Sequence, residues 1–117
     1  AIGTKVIARE TVKALRKARL HHEGHNIPGF HDETNRAYLI IGELRATLDM
    51  SQGEISESLA AVYSYCLRLI IESSTGDLQK LVEVERHIST IGDAWRAATS
   101  QLRASRATSR LGAEAAA

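Results

Sequence analysis

The densest group of potential metal ligands in the chain is a set of histidines within eleven residues, namely His21, His22, His25 and His31. His21 and His25 have the i,i+4 spacing of a helical metal chelate. The run His22-Glu23-Gly24-His25 is one residue too short for the His-Glu-x-x-His pattern of zinc hydrolases, and its glycine interrupts the helix that such a site requires. The pattern favours a polar helix end, and a metal site in the segment 21–31 stays open as an alternative.

Residue types that serve nucleophilic or phosphate chemistry are poorly arranged. Cys66 is the one cysteine, which excludes an intrachain disulfide and a cysteine-based zinc site. It recurs at core spacing among apolar residues, so we expect a small core residue and not a nucleophile. The sequence has no Gly-x-Ser-x-Gly motif and no glycine-rich phosphate loop with lysine. We therefore expect neither enzymatic activity nor a cofactor.

The near-neutral total charge hides a basic first segment. Residues 1–20 contain six lysines and arginines against Glu10 alone, whereas the whole chain has a formal net charge of +1. No aromatic residue interleaves these cations, so a nucleic-acid partner is not expected. A solvated helix face is the favoured interpretation, followed by a surface for an acidic protein partner.

Glycines and the single proline divide the chain into four amphipathic segments. We predict helices over about residues 4–22, 32–49, 54–73 and 77–102, with a tail at 103–117 that extends the last helix or frays. Thr4, Asp32 and Asp77 are the expected N-caps. Short links between long helices predict an all-α fold, an antiparallel up-down four-helix bundle in a single domain spanning 1–117. We expect no membrane span and no signal peptide, since no apolar run approaches about 20 residues.

Three segments carry apolar repeats that should line the bundle core. The repeats are Ala37, Ile41, Leu44 and Leu48; then Ile55, Leu59, Val62, Cys66 and Leu69; then Leu81, Val84, Ile88, Ile91, Trp95, Ala98 and Leu102.

The apolar content exceeds what one core stripe per helix requires, and exposed apolar patches mark partner sites. We predict that Ile40, Tyr63, Leu67, Ile70, Ile71 and Val82 form a groove or patch that binds a partner. A core role stays open for Tyr63, and for Trp95 it is favoured. Self-association through the same face is the alternative function.

An ordered set of motifs runs through residues 44–95. It comprises Leu44-Arg45-Ala46-Thr47-Leu48-Asp49, then Gly53-Glu54-Ile55, Val62-Tyr63-Ser64-Tyr65 and a closing Trp95. This set resembles the FliS family of flagellar export chaperones. The N-terminal half departs from that family, because its first helix is strongly basic, its histidine-rich loop is long, and the usual tyrosine-containing opening segment is absent.

The resemblance implies a four-helix bundle that binds the C-terminal segment of flagellin in the bacterial cytoplasm. Such a chaperone would block premature polymerisation and keep its cargo competent for export. The implied partner is flagellin, and contacts with the export apparatus and a homodimer stay open. A segment that orders only on binding can wrap a large surface while its affinity stays reversible.

Overall fold

The computed structural model describes the backbone of residues 2–116 and the side chains of residues 6–97 and 104–108. Four helices follow in order: α1 (Ile2–Glu23), α2 (Ile27–Ala46), α3 (Glu54–Glu72) and α4 (Leu78–Ala116). Short 3-10 turns at Met50–Gln52 and Ser73–Thr75 lie on either side of α3. The described backbone contains no strand, and the predicted all-α fold is confirmed.

The helices form a ring in which each packs mainly on two neighbours. α1 packs on α2 and α4, and α3 packs on the same two helices from the opposite side. α1 and α4 run antiparallel, because Ala8 lies beside Gly92 whereas His22 lies beside Gly76. Of the helices in residues 2–116, none is both long and apolar enough to cross a bilayer.

A Schellman motif ends α1 and replaces the long loop expected after it. The N–H of Asn26 donates to the carbonyl of His21 at 2.7 Å, and the N–H of His25 donates to the carbonyl of His22 at 3.0 Å. His25 takes the left-handed conformation that the motif requires, with φ of 61°. Three residues therefore suffice to reverse the chain.

The prediction that α2 begins at residue 32 with Asp32 as its cap was wrong. Asn26 caps the helix instead, since its Oδ1 accepts the N–H of Gly29 at 3.1 Å. Pro28 falls in the first turn, where its missing N–H costs no helical hydrogen bond. The expected loop around this proline is thus the first turn of α2.

The other helix ends also differ from their predicted positions. α1 starts at Ile2 rather than at Thr4, and α2 ends at Ala46 because Asp49 caps the following 3-10 turn through the N–H of Ser51 at 3.0 Å. α4 starts directly after Asp77 and continues to Ala116, so the tail extends the last helix. The third helix lies within one residue of its prediction.

A single core cluster joins all four helices. Its fully buried large side chains are Leu15, Phe30, Ile41, Leu81, Val84 and Ile88, and small residues such as Ala14, Ala18 and Ala37 fill the positions between them. Small residues on α1 and α2 leave volume that long side chains of α3 can occupy, which lets α3 bury a wide face. Cys66 is fully buried, which confirms its predicted core role.

The predicted core repeats hold in the middle of the bundle and fail at one end. Ile55 is 72% exposed and Trp95 is 42% exposed, although both continue a repeat. Ile55 stands in the first turn of α3, and Trp95 lies almost a turn beyond the level where α4 meets Ala8. The side chains of Ala98 and Leu102 lie outside the described residues.

An ion pair on the buried carboxylate of Glu85 joins α1 to α4. Glu85 is 7% exposed and accepts from Arg19, with Nε to Oε2 at 2.7 Å and Nη2 to Oε1 at 3.0 Å. The Nε of Arg16 adds a third contact to Oε1 at 3.3 Å. Because the fork of Arg19 is bidentate, it sets both the distance and the register of the two helices.

Candidate functional site

A groove runs between α2 and α3 at the end of the bundle near the α1–α2 turn. It encloses about 450 Å³. We call it the α2–α3 groove, and its lining is His31, Thr34, Asn35, Tyr38, Ile70, Ile71 and Ser74. Ile71 is 58% exposed, which makes it the large apolar side chain most available to a partner there. Such a groove can accept apolar side chains of an incoming segment.

The α2 wall comes from one face of the helix. His31, Thr34, Asn35 and Tyr38 have i, i+3, i+4 and i+7 spacing, which places them side by side along α2. His31 packs edge-to-face on the buried Phe30, with ring centroids 5.2 Å apart. Sequence reasoning missed His31, Thr34 and Asn35 as lining residues, and the signal that could have found them is this spacing.

Three of the predicted partner residues belong to the core and not to an exposed face. Tyr63 is 3% exposed, and Leu67 and Ile70 are also buried. Burial raises the pKa of the Tyr63 hydroxyl. The core role left open for Tyr63 is the one it has, and the expected exposure of Leu67 and Ile70 was wrong, because α3 buries a face wider than one heptad stripe. Ile70 still borders the α2–α3 groove from inside.

The remaining predicted residues face different neighbours. Ile71 lines the α2–α3 groove. Ile40 is half-buried and lies one turn after Arg36, which pairs with Glu10 of α1 at 3.8 Å. Val82 is exposed and lies almost a turn before Glu85, which also meets α1. The six predicted residues therefore do not form one continuous patch, whereas Ile70 and Ile71 do lie together.

The histidines near the α1–α2 turn contact different neighbours and do not converge on one point. The Asn26 amide nitrogen donates to Nδ1 of His21 at 3.1 Å, and a Cβ on Gly29 would lie 2.8 Å from the same ring. The ring of His22 packs edge-to-face on Phe30, with centroids 5.0 Å apart. Among the residues whose side chains are described, no three histidine, cysteine or acidic side chains converge on a metal position.

Cys66 has the properties of a packed thiol. Burial raises its pKa to about 11, so the thiol stays protonated near neutral pH. A thiolate is the reactive form of cysteine, and this side chain does not supply one.

Comparison with known proteins gives a consistent result. A model of the family described as flagellar protein FliS matches residues 4–102. The chain is 34% identical over 86 residues to the flagellar secretion chaperone FliS of Salmonella typhimurium, which covers 71% of this chain and 64% of that protein. It is 33% identical over 88 residues to the same-named protein of Escherichia coli, covering 73% of this chain and 65% of the relative. The Bacillus subtilis relative is 29% identical over 104 residues, covering 88% of this chain and 77% of the relative.

Proposed function

The chain belongs to the FliS family, and on this premise we propose that it is a non-enzymatic flagellar export chaperone of the bacterial cytoplasm. All three relatives are named flagellar secretion chaperones, which supports this role. The chain spans slightly less than two thirds of the Salmonella and Escherichia proteins.

The proposed cargo is the C-terminal segment of flagellin. An apolar segment made to pack in a filament would aggregate or polymerise early if it stayed uncovered. Binding in a groove between helices would hide its apolar side chains, and the cost of ordering the segment would keep the complex reversible.

The exposure of Ile71 beside Ile70 and Tyr38 is the observation that supports the α2–α3 groove as the cargo site. Fully burying an exposed isoleucine contributes about 1.5–3 kcal/mol, at most roughly a third of a micromolar binding energy. The predicted positions Ile40 and Val82 lie outside this groove, and the proposed cargo site does not include them.

The test is calorimetric titration with a peptide from the C-terminal region of flagellin from the same organism. We expect 1:1 binding, weakened about tenfold or more by Ile71→Asp, because the new carboxylate would have to be desolvated in the groove. Ile55→Asp is the matched control, since Ile55 is a still more exposed isoleucine of α3 outside the groove.

Two results would count against this function. Absence of binding to the native protein would reject flagellin as cargo, and equal loss in both variants would reject the groove. Tyr63→Asp and Leu67→Asp are unsuitable as tests, because a carboxylate at either buried position would destabilise the fold and so weaken binding indirectly.

Self-association through the α2–α3 groove is the second candidate, and the exposed Ile71 is the observation that favours it. A second copy could cover this side chain as well as a cargo segment could. Sedimentation equilibrium separates the two functions, since a tight dimer that Ile71→Asp dissociates would favour the adaptor role.

A further inference from the structure

A second groove lies between α1 and α4 and encloses about 440 Å³. Its floor is made by small and apolar residues, namely Ala8, Val12, Leu20 and Gly92. A Cβ added to Gly92 would lie 3.3 Å from the Cβ of Ala8, so the glycine permits the close helix approach that closes one end of the floor. We call this feature the α1–α4 groove. It shares no lining residue with the α2–α3 groove.

Positive charge lines this floor. Arg9, Lys13 and Lys17 follow one another at i,i+4 spacing along α1, and Arg96 lies on the α4 side. Within the residues described, none of these four has an acidic side chain at ion-pair distance. Asp93 is the single carboxylate of the lining.

In the isolated protein, several cations of this groove repel one another and lack an acidic partner. Like charges at i,i+4 repel each other along a helix, and here two successive pairs do so. Arg16, the remaining cation of the lining, already contacts Glu85 at 3.3 Å, so the other cations are the ones left for an external anion. Leu20 is 66% exposed at one end of the same groove, so an apolar contact is also left unmade there.

We propose that the α1–α4 groove docks an acidic amphipathic helix of a protein partner. The apolar floor fits a stripe of apolar side chains, and the cations fit carboxylates on the flanks of that stripe. The floor from Ala8 to Leu20 extends for about 18 Å, enough for roughly three turns of a partner helix. Nucleic acid fits less well, because the lining offers no aromatic side chain on which a base could stack.

The site is independent of the proposed cargo groove. α1 and α3 occupy opposite corners of the ring, so a helix in the α1–α4 groove and a segment in the α2–α3 groove would not compete. The protein could then hold a flagellin segment and an acidic partner at once.

The test uses a fluorescent helical peptide with leucines at i, i+4 and i+7 and glutamates beside them. A second peptide replaces each glutamate by lysine. By fluorescence anisotropy, we expect the acidic peptide to bind the native protein at low salt and to lose affinity as salt rises. The double variant Arg9→Glu, Lys13→Glu should weaken binding about tenfold or more, and Leu20→Ser severalfold.

Matched controls separate the groove from general charge and apolarity. Arg45→Glu with Arg106→Glu changes the total charge equally at exposed positions outside the groove, and Leu39→Ser removes a comparably exposed leucine. Both controls should bind the acidic peptide within about twofold of the native protein, since surface charges distant from a site are screened.

Several outcomes would overturn the proposal. They are no binding of the acidic peptide, equal binding of the lysine peptide, equal loss in the control variants, or complete displacement by single-stranded RNA or phosphatidylglycerol vesicles at lower concentration. Titration of the flagellin peptide into the Arg9→Glu, Lys13→Glu variant distinguishes the two sites. The docking proposal predicts unchanged flagellin binding there, whatever the result at Ile71.

Discussion

At the scale of single residues, the carboxylate of Glu83 on α4 is the partner of Tyr65 on α3. The Tyr65 hydroxyl donates to its Oε1 at 2.8 Å, and Nε2 of His87 lies 3.5 Å from the same oxygen. The Tyr65 hydrogen bond is the main cause of a lowered Glu83 pKa, and the same bond raises the pKa of Tyr65. Any stability from this group is present above the ordinary carboxyl pKa and is lost as pH falls through the lowered one.

We therefore predict that Tyr65→Phe moves the pKa of Glu83 back towards its ordinary value. The variant should also lose less stability on acidification than the native protein, because the pKa of Glu83 would then differ less between the folded and unfolded states. A carbon-13 NMR titration of the Glu83 carboxyl measures the shift directly. Tyr38→Phe is the matched control, and an unchanged Glu83 pKa in Tyr65→Phe would contradict the assignment.

The buried thiol gives a second prediction at this scale. Cys66 should react with an aromatic disulfide reagent at pH 8 far more slowly than a cysteine in an unfolded peptide, because its pKa is raised to about 11 and its side chain is buried. Addition of denaturant should restore the peptide rate. Fast reaction in the native protein would show that α3 does not pack as described.

At the scale of helices, the turn between α1 and α2 contains one local conflict. His25 occupies the left-handed position that glycine fills at little cost. His25→Gly should raise the free energy of unfolding by about 0.5–1 kcal/mol, since the Schellman hydrogen bonds are made by the backbone. Thermal melting with Lys17→Gly, an exposed position inside α1, as the contrasting variant checks the sign, because glycine there should destabilise.

The contact between α1 and α4 rests on the Glu85 ion pair. Glu85→Ala should lower the free energy of unfolding by about 1.5–3 kcal/mol, the range for a lost hydrogen-bonded charged group. The Arg16 side chain is mostly exposed and that of Arg19 is partly exposed, which keeps the loss below that of a fully buried pair. Urea denaturation measures it. As a control, Glu57→Ala at an exposed position of α3 should change the free energy of unfolding by less than about 0.5 kcal/mol.

The helix boundaries show which local signals can be recognised in the sequence. α3 begins directly after Gly53 as predicted, because a glycine at positive φ acts locally, whereas α2 ends three residues before the predicted Asp49. Asn26 and Pro28 form an equally local start signal, but the neighbouring histidines and glycines made the segment look like a loop. This start signal was missed because a proline in the first turn of a helix and a proline in a loop can have the same neighbouring residues.

At the scale of the whole molecule, the bundle was predictable because apolar spacing and short links both depend on near neighbours in sequence. The candidate site was less so. Whether Tyr63 and Leu67 face solvent depends on how much volume Ala14, Ala18 and Ala37 leave on other helices, which no single segment encodes. Ile71 was identified correctly as exposed, because it lies on the edge of the α3 core face.

The length of α4 affects how this protein moves through water. The helix has 39 residues against 22 in α1, and the molecule measures 67 Å by 28 Å by 18 Å. Its radius of gyration is 17.9 Å, whereas a compact chain of this size has about 13 Å. Small-angle X-ray scattering of the monomer should give a value near 17.9 Å.

A molecule of this shape has a higher frictional coefficient than a sphere of equal mass. Even as a monomer it should leave a gel-filtration column ahead of a globular standard of 12.8 kDa and imitate a larger species. Elution volume alone would then report a false dimer, and the stoichiometry of its complexes has to be read from mass.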